Sequence, residues 1–231
     1  TVFAHIRDLN RVAYHEPNRI TIVLYRPDVW IWIIPFSNGI TSVGFVGDVE
    51  FFDKFPGDNN ARLRALIESE PELKTRFHNA EFIFDARTLE SWSMSTTTFY
   101  GNGFVLTGNV TEFLDPVFSS GVTLATVSAQ TAANLVCRQL KGEHVDWQTE
   151  YTDHMMQGVN TFRSYVLGWY DESLQDIFFA KEPNFEIQKQ ICSVLAGYVW
   201  DTTNPYVKNH DRVLKTLAQV LRLEESSLKQ K

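Results

Sequence analysis

The residues best suited to chemistry lie together in one run, residues 101–122, Gly-Asn-Gly-Phe-Val-Leu-Thr-Gly-Asn-Val-Thr-Glu-Phe-Leu-Asp-Pro-Val-Phe-Ser-Ser-Gly-Val. Residues 104–107 are too few for a helix and sit between turn residues, which predicts a short buried strand. Gly108 follows, where the chain must bend and where a missing side chain lets a ligand approach the backbone. Asp115-Pro116 disfavours helix at Asp115 and marks a turn. Ser119 and Ser120 offer N-cap hydroxyls to a small-and-apolar helix expected over residues 122–140. Strand, glycine loop and helix start together leave free backbone N–H groups and a positive dipole end, which is an anion site. The same pattern also describes an ordinary β-to-α connection that binds nothing.

Other side chains offer less. Trp30 and Trp32 alternate with Ile31 and Ile33, so a strand there puts both indoles on one face. That face either packs against a helix as core or lies over a cofactor. The histidines (His5, His15, His78, His144, His154, His210) form no i, i+4 pair and have no acids at ligand spacing, so no zinc or haem site is expected. Ser93, Ser95 and the threonines 96–98 lack a G-x-S-x-G context and read as strand surface. Asp85 and Arg87 read as a surface ion pair. Phe162, Tyr165, Trp169, Tyr170, Phe178 and Phe179 fit either helix core or the cover of a greasy substrate. Cys137 and Cys192 fit no metal or redox spacing and are expected as buried free thiols in a reducing cytosol.

The elements that must position these groups follow from periodicity. Two strand pieces are expected within residues 1–14, then strands over 20–25, 30–36 and 40–46. Asn38-Gly39 between the last two is a strong hairpin signal. Residues 48–55 read as a connector, 59–68 and 72–77 as short helices, and 81–86 and 91–100 as strands. Gly142 is a helix stop and Asp146 the cap of a helix reaching about residue 169. Helices over 171–179, 184–199 and 210–221 complete an α+β chain. At 231 residues and 44% hydrophobic, it can bury one sizeable core or two small ones. A net charge of −7 with no basic cluster argues against a nucleic-acid surface. No apolar run is long enough to span a membrane and no signal peptide precedes the first strand, so the expected home is cytoplasmic.

Residues 108–110 (Gly-Asn-Val) and 114–122 (Leu-Asp-Pro-Val-Phe-Ser-Ser-Gly-Val) resemble the second FAD motif of flavin-dependent halogenases and their monooxygenase relatives, G-D-A-x-G-F-x-D-P-x-F-S-S-G-V. Residues 30–35, Trp-Ile-Trp-Ile-Ile-Pro, are similar to that family's W-x-W-x-I-P. The resemblance implies a hydroxybenzoate-hydroxylase-like, Rossmann-related FAD fold. Residues 1–100 would be an antiparallel substrate-binding segment with two short helices. Residues 101–141 would complete the FAD domain, and 142–231 would be a helical region, with 195–197 and 203–205 similar to the family's cap over its substrate cavity. No Gly-x-Gly-x-x-Gly occurs, so the nucleotide-gripping part is expected upstream and the chain is expected to be the inactive C-terminal part of a longer enzyme.

Residue by residue, the resemblance implies FAD contacts from Gly108, Asn109, Asp115, Pro116, Ser119, Ser120, Gly121 and Val122. The Ser120 and Gly121 amides would hold a halide. Trp30, Trp32, Pro35 and Phe118 would form the wall between flavin and substrate. Asn109 stands where the family carries an acid, keeping an acceptor for the ribityl chain but losing its charge. Phe118 stands where the free-tryptophan branch carries Glu, which points to phenolic or pyrrolic substrates, small or carrier-bound. None of the nine lysines matches the relay lysine that handles hypohalous acid. The implied reaction is halogenation or oxygenation of an aromatic or alkene through a flavin C4a-hydroperoxide, with chloride and a separate flavin reductase as partners. A geranylgeranyl-reductase-like flavoprotein is the near alternative, and a non-catalytic flavoprotein binding a hydrophobic or carrier-bound ligand the distant one.

Overall fold

The computed structural model describes residues 1–14 and 16–229, so His15 lies outside the described residues. The chain divides into two compact units, Thr1–Ser91 and Trp92–Lys231. The first has an antiparallel sheet covered by helices and the second is mainly helical, which makes the chain α+β.

In the first unit, β1 (Val2–Arg7), β2 (Thr21–Arg26), β3 (Val29–Pro35), β4 (Ile40–Val46) and β5 (Arg87–Thr88) form a sheet in the order β2-β3-β4-β1-β5. The expected meander is present: β2 pairs β3 and β3 pairs β4, all antiparallel. The turn between β3 and β4 closes with Phe36 N–H donating to Ile40 C=O at 2.8 Å, and Gly39 takes φ +83° there, a left-handed conformation that suits glycine. Strand alternation decides the two faces. Val2, Ala4, Ile6, Ile31, Ile33, Val43 and Phe45 join one buried core with α1 (Val49–Phe52), α2 (Asn59–Ser69) and α3 (Pro71–Phe77). The helix-packed core is therefore the isoleucine face of β3, and the indoles project from the other.

Four local expectations give way here. Residues 9–14 hold a 3-10 turn, Arg11–Ala13, not a second strand. It buries Arg11, whose guanidinium donates to Phe36 C=O (2.6 Å), Ile40 C=O (2.5 Å) and Thr41 Oγ1 (2.9 Å). Asp8 compensates the charge, accepting from Thr41 Oγ1 and from Arg76 Nη2, each at 2.6 Å, as a buried ion requires. The connector after β4 contains the helical turn α1. Residues 81–86 make only an isolated bridge, Ile6 with Phe82, before β5. Asp85 accepts from Asn60 Nδ2 (2.9 Å), while the Arg87 guanidinium lies over the Phe84 ring at 4.8 Å, so each has a partner other than the one expected.

In the second unit the expected strand over 91–100 shrinks to β6 (Met94–Ser95) and β7 (Tyr100–Gly101), because the Ser/Thr run between them has no apolar alternation to bury. β7 pairs β8 (Phe104–Val105) as a hairpin, and β6 pairs β9 (Glu112–Phe113). Phe104 is half exposed with its ring folded over Gly101, so the predicted buried strand is a surface hairpin. Next come α4 (Gly121–Leu140), a π-helical turn (Gln148–Asp153) running into α5 (His154–Tyr170), α6 (Ser173–Phe178), α7 (Phe185–Leu195), α8 (Pro205–Lys208) and α9 (His210–Lys229). Gly142 ends α4 with φ +88°. Its N–H reaches Gln139 C=O (3.0 Å) and that of Glu143 reaches Arg138 C=O (3.1 Å), which is the Schellman pairing. Leu124, Leu135, Met155, Phe162, Tyr165, Leu174, Ile191 and Leu214 anchor the core. Phe162 and Tyr165 are thus packing residues, whereas Tyr170 and Phe179 are exposed. Cys137 and Cys192 are both exposed, correcting the expectation of buried thiols: their helices turn other faces to the core. Among the described residues no helix is long and apolar enough to cross a membrane, and no His/Cys/Asp/Glu group could hold a metal.

Candidate cofactor site

Residues 106–122 form one continuous loop ending on α4. Gly108 adopts φ +68° at the start of a 3-10 turn, Gly108–Val110, which explains the glycine. Its N–H is already committed to Ser128 Oγ (2.9 Å), and its carbonyl accepts from Thr111 N–H (3.0 Å) and Thr111 Oγ1 (2.7 Å). Backbone shape, more than ligand access, is what this glycine supplies. Asn109 is exposed, and its Oδ1 lies 3.8 Å from where a Cβ on Gly121 would sit, so it reaches the amino end of α4.

Asp115 turns the chain. Its Oδ1 accepts from Val117 N–H (3.0 Å) and caps the 3-10 turn Pro116–Phe118. Its Oδ2 accepts from Tyr170 Oη (2.9 Å). Burial pushes the Asp115 carboxyl above its ordinary value, and these two hydrogen bonds pull the other way. Phe118 meets Trp169 edge-to-face with ring centroids 5.9 Å apart. Glu112, only 6% exposed, is paired with Arg163 Nη2 at 2.7 Å.

The start of α4 departs from expectation in a way that matters. Neither serine hydroxyl caps the helix. Ser119 is left-handed (φ 54°, ψ 32°) and Ser120 right-handed helical (φ −67°, ψ −19°), whereas a capping residue needs extended backbone. The first bond into the helix is Leu124 N–H to Ser120 C=O at 3.1 Å. The amides of Gly121, Val122 and Thr123 consequently have no hydrogen-bond partner among the described residues, at the positive end of a 20-residue helix. Gly121 is half-buried, Ser120 buried, and Val122 exposed. Chemically this is a set of donors at one helix end, suited to an anion or an electron-rich ring edge.

In the first unit the Trp30 and Trp32 rings are tilted neighbours, centroids 6.0 Å apart. Trp32 Nε1 donates to Ser42 Oγ (3.0 Å), and its indole lies flat over Gly44, its cross-strand partner. Phe3 extends the row, 5.8 Å from Trp32, and His5 stands between the Phe36 and Phe84 rings. Burial, then the Arg87 charge, hold His5 below the usual imidazole range. Pro35 ends the strand and, by alternation, falls on the isoleucine face, opposite the indoles with which it was expected to form a wall. A cavity of about 310 Å³ lies at the far end of α4, lined by Phe104, Val136, Leu140 and Trp147 among others. No titratable side chain lines it.

The model of the family described as "Tryptophan halogenase" matches residues 12–210, most of the chain. The chain belongs to this family. Among curated relatives, the family member "1H-pyrrole-2-carbonyl-[peptidyl-carrier protein] brominase" of Pseudoalteromonas luteoviolacea (strain 2ta16) is 28% identical over 204 residues, 86% of this chain and 49% of the relative. A solved flavoprotein/dehydrogenase from Cytophaga hutchinsonii is 53% identical with a TM-score of 0.94, covering 97% of this chain and 55% of that one. The flavin-dependent brominase Bmp2 shares the fold, with a TM-score of 0.77 at 23% identity over 99% of this chain and 55% of that one. The chain thus spans about half the length of the leading relatives it matches.

Sequence reasoning located the loop but missed what holds it. Ser128, Tyr151, Arg163 and Tyr170 all bond residues of the loop from helical segments. Their only sequence signal is periodic: Arg163 and Tyr170 are seven apart on one helix.

Proposed function

We propose that this chain supplies the flavin loop and the aromatic sheet of an FAD-dependent halogenase acting on an aromatic substrate, small or carrier-bound. The observation that carries the reading is the uncapped start of α4, whose three unpartnered amides begin at the Gly121 that closes the Asp115-Pro116…Ser119-Ser120-Gly121 motif. Gly108, Asn109, Asp115, Pro116, Ser119, Ser120, Gly121 and Val122 are the proposed FAD contacts. The fit is chemical: the pyrimidine edge of a flavin gains negative charge on reduction, and oriented amides stabilise that charge. FAD, when bound, supplies the redox chemistry that makes a halide electrophilic. The chain's own part is to hold the ring edge, with the amides of Ser120 and Gly121 as halide donors.

In the second unit Phe118 is proposed as a wall residue, fixed by Trp169. In the first unit Trp30 and Trp32 are proposed as a water-excluding wall, with Pro35 ending their strand. Residues 101–141 are proposed to complete an FAD domain of the hydroxybenzoate-hydroxylase type. The brominase relative is named for a carrier-bound pyrrole, which favours a carrier-bound acyl aromatic here; a separate flavin reductase is proposed as a further partner. A second reading, a flavoprotein dehydrogenase using no halide, is favoured by the description of the 53%-identical structure.

The test is made on the full-length polypeptide. Bound flavin absorbing near about 450 nm, and bromide- or chloride-dependent addition of halogen to substrate, are expected. Gly121→Ala is the informative variant. Its Cβ would meet Phe113 Cε2 at 3.7 Å and Asn109 Oδ1 at 3.8 Å, ordinary contacts, so the protein folds and only ligand access changes. Unaltered flavin content and halide dependence in Gly121→Ala would remove this helix end from the site; flavin retained without halide dependence favours the dehydrogenase reading.

A further inference from the structure

Three side chains of one helical segment grip the loop along most of its length. Tyr151 Oη donates to Leu106 C=O (2.5 Å), Arg163 Nη2 pairs with Glu112 Oε1 (2.7 Å), and Tyr170 Oη donates to Asp115 Oδ2 (2.9 Å). Arg163 and Tyr170 are seven residues apart on α5, about two turns. Tyr151 and Arg163 are twelve apart, which in an unbroken α-helix would leave them about 120° out of line. The π turn Gln148–Asp153, which contains Tyr151, takes up an extra residue. Tyr151 lies inside that turn, so the part of it that follows narrows the offset, and the hydrogen bonds place all three side chains against the loop.

We infer that Arg163 and Tyr170 are positioning residues for the cofactor, acting through Glu112 and Asp115 to fix the aim of the amides that open α4. The inference rests on the flavin reading above and deepens it. Glu112 and Asp115 flank the β9 end and the 3-10 turn that delivers Phe118, Ser119 and Ser120 to α4. A shift of a few tenths of an ångström in that turn carries straight into the donor–acceptor distances, where hydrogen bonds weaken steeply. Arg163 is only partly buried and Tyr170 is exposed, so replacing either frees the loop without opening the core.

FAD affinity of the full-length polypeptide, read by quenching of flavin fluorescence together with the fine structure of the bound flavin's visible band, tests this. Tyr170→Phe and Arg163→Met should each raise the FAD dissociation constant about tenfold, the size of one lost charge-assisted hydrogen bond, and blur that band. Arg163→Lys should recover most of the affinity, and it carries the test together with Tyr170→Phe should Arg163→Met not fold. In an Asp115→Asn background, Tyr170→Phe should add less than about twofold, because Tyr170 acts through Asp115. Arg222→Met, which breaks a pair with Asp176 elsewhere in the same unit, should leave affinity and band unchanged. Tyr170→Phe and Arg163→Met proteins that lose thermal stability yet bind FAD within twofold of the wild type would overturn the inference and leave the flavin reading standing. A wild type that neither carries nor takes up FAD would overturn both.

Discussion

Replacing Gly44 by alanine presses directly on the aromatic face of the sheet. An added Cβ would lie 2.2 Å from Trp32 Cζ2 and 2.5 Å from Cε2 and Cη2, where ordinary contact begins at 3.4 Å. The indole must therefore move by at least about 1.2 Å, the difference of 3.4 and 2.2. It is held on one side by the Nε1 bond to Ser42 Oγ and on the other by the Phe3 and Trp30 rings. Overpacking of this kind costs about 1–3 kcal/mol, and loss of the Ser42 bond about 1 kcal/mol more. Alanine gains back about 0.5–1 kcal/mol in a strand, because glycine loses more conformational freedom on folding. Overpacking wins, and the net expectation is destabilisation by about 2 kcal/mol. In urea, followed by near-ultraviolet circular dichroism, the midpoint should fall by about 1 M with the slope unchanged. In a Trp32→Ala background the same Gly44→Ala change should be neutral or stabilising, since the three atoms nearest the added Cβ all belong to that indole. A Gly44→Ala protein as stable as the wild type would refute the argument that this glycine exists to seat the indole.

The remaining expectations concern the loop and pH. Ser128→Ala leaves the Gly108 N–H without its partner in a half-buried position and should destabilise the protein by about 1–2 kcal/mol; an unchanged denaturation midpoint would show the loop held by other means. Tyr151→Phe should cost a similar amount by stranding the Leu106 carbonyl, and it should abolish a phenol titration that burial has pushed up to about 12. His5, His154 and His210 all titrate below the ordinary 6.5, chiefly through burial. The unfolded chain therefore binds more protons as pH falls below that value, so stability is full above it and declines toward the depressed folded values. Urea midpoints should be lower at about pH 5.5 than at about pH 7.5, and the combined His154→Gln and His210→Asn protein should show a flatter dependence. Asp115 has the opposite sign in a lower window: raised by burial, its contribution is present below its unfolded value of 3.8 and is lost as pH rises through the folded one.

Much of the scaffold was legible locally. Alternating Ile, Val and Trp with an Asn-Gly turn dictates the β2-β3-β4 meander, because period two and a left-handed turn residue leave one low-energy arrangement. Asp58, Pro71, Gly142 and Asn184 mark helix ends where capping chemistry places them. The glycine, Asp-Pro and Ser-Ser-Gly spacing marked the loop and the family. Tertiary packing decided the rest. Which face of β3 the helices cover depends on where Leu63, Leu73 and Phe77 come to lie, and no period in β3 itself encodes that. The two serines offered caps, yet the backbone leaving the Asp115 turn puts both in helical conformations and leaves the amides unspent. The bonds of Leu106, Glu112 and Asp115 to Tyr151, Arg163 and Tyr170 join residues 45 to 55 positions apart, along a helical segment whose register one π turn shifts. A register change alters which distant residues meet without altering the local pattern, so only the folded chain reveals it.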